Sequence, residues 1–104
     1  MAKIINIFDE SNWEDAEGYP ERTKIKILRE EDGYKTAVLK LPKGFQMEAH
    51  SHVTTEQHFV LKGEYKIQGE AFKEGSYQLI HGGVDHGPFT SKDGSTILVI
   101  WEKK

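Results

Sequence analysis

From position 22 onward, turn residues interrupt this chain at intervals of about 8–12 residues, and between them apolar and polar side chains alternate. A period of two sends successive side chains to opposite faces of a strand, and segments this short leave no room for an amphipathic helix. Thr23, Ile25 and Ile27 alternate with Arg22, Lys24 and Lys26, which predicts a strand with one wet face. Glu31-Asp32-Gly33 is a hairpin-type turn. Residues 34–41, 45–52, 56–62 and 64–68 read as further strands, separated by Pro42-Lys43-Gly44, by Val53-Thr54-Thr55 and by Gly63. A short piece around Ala71 and Phe72, then residues 76–81, 85–90 and 96–101, bring the number to about nine. Such a series folds as an all-β sandwich or barrel.

Residues 1–21 stand apart as an N-terminal arm, polar and acidic, with Ile4, Ile5, Ile7, Phe8 and Trp13 as its apolar anchors. A short helical turn at 11–17 is the one competing signal, with Ser11 as cap and Glu14 three residues on. The barrel then occupies residues 22–104. Its last strand, Ile97-Leu98-Val99-Ile100-Trp101, is apolar on both faces. Either it lies between two layers or its outer face meets a second copy of the chain, and a homodimer is expected. The arm, through Trp13, is the alternative cover.

A length of 104 residues fits one domain. Charged side chains make up 30% of the chain, but the net charge is only -3. Without a basic face to neutralise phosphates, no nucleic-acid partner is expected. The absence of cysteine excludes disulfides, thiolate zinc sites and thiol nucleophiles together. The apolar run near the N-terminus is too short for a signal peptide, and no stretch has the length to cross a bilayer. A cytoplasmic location without membrane contact is therefore the expectation.

All five histidines fall between positions 50 and 86. Histidine is the commonest metal ligand and the usual acid or base at neutral pH. His50 and His52, two apart on a strand, leave the same face and can converge on one ion. Glu56, across the polar loop at 53–55, can close on the same point. His86 lies in a distant segment and has to be delivered by the fold. Neutral imidazoles with one carboxylate suit a divalent first-row metal better than Mg²⁺ or Ca²⁺.

The glycines around these residues carry a resemblance. Gly44, five residues, His50, one, His52, three, Glu56, six, Gly63 is similar to the first signature of the cupin superfamily in full. Gly75, five residues, His81, one, Gly83, two, His86, three, Thr90 follows the second signature, with His81 for the usual Pro and Thr90 for the usual Asn. Together with residues 36–41 and 94–99, the chain most resembles small cupins related to the C-terminal domain of anti-sigma factors. Acetylacetone-cleaving dioxygenases share that broader kinship. The resemblance implies a double-stranded β-helix, or jelly-roll, barrel with one divalent transition metal inside its mouth. Carried over by position, the ligands are His50, His52, Glu56 and His86.

His58 lies two beyond Glu56 and faces the same interior, where relatives usually place an apolar residue. It reads as a catalytic acid or base, or as the residue that orients Glu56. The plainer alternative is a buried histidine satisfied by a neighbouring group. His81 reads as a loop residue without a direct role. Phe45, Met47, Phe59, Phe72, Tyr77 and Phe89 serve as core or pocket lining.

Four protein ligands on a six-coordinate ion leave two adjacent positions for a small molecule. The implied function is a metalloenzyme acting on a small carbonyl, enol or carboxylate compound, with iron as the metal and a β-dicarbonyl dioxygenase as the sharpest version. The alternative is a binding or sensing module in which the metal, with Zn, Mn or Ni also suited, is structural or regulatory. The arm cannot stand in for the cysteine/histidine-rich zinc domain of anti-sigma factors, so direct sigma-factor binding is not expected.

Overall fold

The computed structural model describes residues 2–51 and 53–103. Eleven strands are present among them: β1 (Glu14–Asp15), β2 (Lys24–Glu31), β3 (Tyr34–Leu41), β4 (Phe45–Met47), β5 (His50–Ser51), β6 (Glu56–Ile67), β7 (Glu70–Lys73), β8 (Tyr77–Ile80), β9 (Asp85–His86), β10 (Phe89–Ser91) and β11 (Ser95–Trp101). All pairing is antiparallel, and the main sheet runs β1-β2-β3-β11-β6-β10-β4, with β7 and β8 also on β6. β5 and β9 form a separate two-stranded ribbon. No helix occurs among the described residues, so none there is long and apolar enough to cross a membrane.

β6 is the spine of the molecule. Its first half pairs with β11 and β8, and its second half with β7 and β10. The sequence divides this strand at Gly63, and the structure continues through it with φ at +76°. A Cβ at Gly63 would stand 2.6 Å from the Gly94 carbonyl oxygen, so the backbones cross where no side chain fits.

The periodicity of two is visible in the packing. One interior row runs Ile25, Leu39, Ile97 and Val60 across β2, β3, β11 and β6. The next carries Ile27, Ala37, Val99 and His58. Ala37 and Val99 are fully buried. Full burial contributes about 1.5–3 kcal/mol for a side chain such as Val99 and about 0.8 kcal/mol for the single methyl of Ala37.

β11 lies in the middle of the sheet, between β3 and β6. Its inward residues Ile97 and Val99 are buried, while the outward Leu98 and Ile100 are only half-covered. The arm covers the neighbouring β2–β3 side of that outer face. Lys26, predicted to be wet, is 2% exposed. Its ammonium donates to the carbonyls of Asn6 at 3.1 Å and Asp9 at 2.7 Å and sits 4.9 Å from the centre of the Trp13 ring. Lys40 approaches the same ring at 4.3 Å. The helical turn expected at 11–17 does not form: β1 occupies that place and pairs with β2, with Asp15 and Lys24 opposite each other and ion-paired. The open edge of β2 outcompetes one marginal capped turn.

Candidate functional site

Where the sequence reads one strand at 45–52 and another at 85–90, the structure breaks both. β4 pairs with β10, then β5 pairs with β9. A Cβ on Gly87 would meet the Ala49 Cα at 2.9 Å, so the two chains bend past each other at the same level. Beyond the bend, His50 and His86 are direct partners in the β5–β9 register. Opposite residues of an antiparallel pair project to one face with Cβ atoms about 4.5–5.5 Å apart. The fold thus delivers the distant His86 to His50. His52 lies outside the described residues.

Glu56 opens β6 and is 4% exposed; His58, two residues on and on the same face, is 7% exposed. Glu56 Oε1 and His58 Nε2 are 3.0 Å apart, and His58 Nδ1 lies 2.8 Å from the Tyr65 hydroxyl. That hydroxyl in turn donates to Gln78 Oε1 at 3.1 Å. His58 therefore occupies a core position and has a partner at each ring nitrogen, as a buried polar group requires.

The electrostatics join the two halves. Burial holds the His86 imidazole below its ordinary value; Glu56 opposes the shift, His50 and His58 add to it, and Asp85 opposes it. Burial, with the charge of Glu56, pushes the Tyr65 phenol far up. The same carboxylate acts on Tyr19, whose phenol burial pushes up to about 12.

A cavity of about 40 Å³ lies against His50, Glu56, His58, Tyr65 and Tyr19. Its other walls are apolar, among them Leu39, Phe45, Met47 and Phe89. At about 10–15 Å³ for each water centre, it admits roughly three water-sized groups. Phe59 and Tyr77, by contrast, pack against each other with ring centres 4.9 Å apart. His81 is exposed in the loop between β8 and β9. Sequence reasoning missed both tyrosines of the site: Tyr65, whose hydroxyl meets His58, and Tyr19, which belongs to the arm.

Among the described residues, no three histidine or carboxylate side chains are arranged to hold a metal ion. Their chemistry nevertheless fits one. The Nδ1–H of His50 donates to the Glu48 carbonyl at 3.0 Å, which makes Nε2 the lone-pair nitrogen of the neutral ring. The depressed His86 is neutral at ordinary pH, as a ligand must be. No Lys or Arg lines the cavity among the described residues, so the buried Glu56 carboxylate stands among imidazoles rather than fixed cations.

Comparison with known proteins agrees with this architecture. No curated protein matches the chain in sequence. Among solved structures, an RmlC-like cupin from Shewanella frigidimarina superposes with a TM-score of 0.80 at 18% identity, covering 99% of this chain and 93% of that one. An acetylacetone dioxygenase from Acinetobacter johnsonii gives 0.77 at 18% identity, over 97% of this chain and 74% of that one. The Rhodobacter sphaeroides complex of SigE with the anti-sigma ChrR gives 0.76 at 18% identity, over 91% of this chain. There the chain spans about half, 51%, of the matched chain's length. At these identities the likeness establishes a jelly-roll cupin barrel. The family model described as the ChrR cupin-like domain matches residues 1–103, and the chain belongs to that family of small cupins.

Proposed function

We propose that this cupin holds one divalent transition metal through His50, His52, Glu56 and His86 and acts as a metalloenzyme on a small carbonyl, enol or carboxylate compound. The observation that carries the reading is the meeting of His50 with His86 across β5–β9, beside a buried Glu56 hydrogen-bonded to His58. A metal bound there would supply Lewis-acid activation of an oxygen ligand and, if it is iron, redox chemistry with dioxygen.

The chain's own residues supply the rest. His58 holds the Glu56 carboxylate in one orientation and is itself held by Tyr65. It also places an exchangeable proton at the boundary between the carboxylate and the cavity, where general acid–base work on a bound enol requires one. Leu39, Phe45, Met47 and Phe89 keep the cavity poor in water, which strengthens each polar contact inside it.

The name of the Acinetobacter enzyme supports a dioxygenase of the β-dicarbonyl type, and iron is the metal we propose for that chemistry. The small cavity favours a second reading, a non-catalytic metal- or ligand-sensing module, in which Zn, Mn or Ni serves as well. Dioxygen uptake by iron-loaded protein on a panel of β-dicarbonyls and catechols separates the two. Turnover of any member supports the enzyme. Tightly held zinc with no turnover across the panel supports the module. We further propose a cytoplasmic homodimer, with the half-covered Leu98, Ile100 and Phe59 and the exposed Tyr77 and Leu79 forming the shared face.

A further inference from the structure

The arm enters the barrel at one point. Ala16 N donates to Thr23 O at 3.0 Å, Tyr19 N to Ala16 O at 3.2 Å, and Thr23 N to Pro20 O at 3.2 Å. These bonds close residues 16–23 into a compact loop whose ends are fixed by the β1–β2 pairing. Ala16 is buried in the core, and Tyr19 packs against the same cluster. The loop thereby sets Tyr19 into the wall of the cavity that His50, Glu56 and His58 also line.

The two phenols on that wall have different commitments. The Tyr65 hydroxyl is engaged by His58 and Gln78. The Tyr19 hydroxyl makes no side-chain hydrogen bond among the described residues. A phenol keeps its proton at ordinary pH, so this hydroxyl is available as a donor. A few polar groups placed on a mainly apolar wall are what fixes a small ligand's orientation.

We propose that Tyr19 is a ligand-orienting residue, its O–H donating to an oxygen of a small carboxylate or enolate held beside His50 and Glu56. The inference rests on the metal-site reading above, since only a bound cation makes an anion welcome next to Glu56. The ligand class follows from the donor, which needs an acceptor oxygen, and from a cavity of about 40 Å³, which admits few heavy atoms. It gives the arm a role in recognition besides its role in covering β2 and β3.

The test loads wild type and Tyr19→Phe with cobalt(II), whose visible absorption reports the metal's surroundings, and then titrates each with acetate. Phenylalanine keeps the ring that packs on the core, and matching unfolding midpoints check that the fold is unchanged. We expect equal cobalt stoichiometry and affinity in both proteins. Acetate should bind the variant about tenfold more weakly, the loss of one hydrogen bond to a charged group. Equal cobalt binding with acetate affinities within twofold overturns the role of Tyr19. If wild type takes up no cobalt, the metal-site reading fails and this inference falls with it. Weaker cobalt binding by the variant overturns it too, because Tyr19 would then be supporting the metal rather than its ligand.

Discussion

His58 stands in a row with Ala37 and Val99, both fully buried, so the fold spends a core position on an imidazole. A polar side chain there is tolerable only with both nitrogens satisfied, and Glu56 and Tyr65 do this. For His58→Leu, which suits the row sterically, we expect metal content to persist while turnover is lost, measured by metal analysis beside the dioxygen assay. Unchanged activity would leave His58 with a packing role alone. His86 has a consequence of its own in the metal-free protein. Its folded pKa is depressed below the unfolded value near 6.5, so the unfolded chain takes up its proton first as pH falls. The stability that His86 contributes is complete above about pH 6.5 and is lost as pH drops through the folded value. Urea unfolding between pH 5 and 8 should show this decline, and His86→Asn should flatten it. The pairing of Glu56 with His58 was legible in the sequence, because a spacing of two on a strand fixes a common face. Tyr19 was not, because its place depends on the closure of residues 16–23 onto β2, which no local period encodes.

At the scale of elements, most strands were legible because glycine and proline punctuate them. The two breaks at the mouth were not, since they lie where the backbone at Gly87 passes too near Ala49 for a side chain to fit, a contact between segments far apart in sequence. Lys26 shows the same limit: alternation correctly put it on the outer face, and the arm then buried that face. Lys26→Met keeps most of the aliphatic stem but removes the charged donor from the carbonyls of Asn6 and Asp9, which keep only Asp9 N–H and Trp13 Nε1–H. A loss of about 1–3 kcal/mol is expected by urea denaturation, together with faster amide exchange through residues 6–16. On β11, Ile97→Ala should cost roughly 2–5 kcal/mol through a core cavity. Leu98→Ala, on the half-covered face, should cost the isolated chain clearly less. Equal costs would mean that the two faces of β11 are equally packed.

The whole molecule was readable as a jelly roll because turn cadence and the two glycine-flanked histidine motifs point to the same fold. What surrounds it was less so, for covering an apolar face is a matter of partners and chain path rather than of period. If the outer face of β11 and β8 joins two copies, light scattering should give twice the mass of 11.9 kDa, and Leu98→Glu should halve it. A monomeric wild type would assign the cover to the arm alone. The most direct measurement is the metal-to-protein ratio of untagged protein, compared with His50→Ala, His52→Ala, Glu56→Ala and His86→Ala. Near one ion per wild-type chain, with a sharp fall in each of the four variants, is the expected result. A wild type that holds no ion, or a variant at any of these positions with undiminished content, would break the proposed set of ligands.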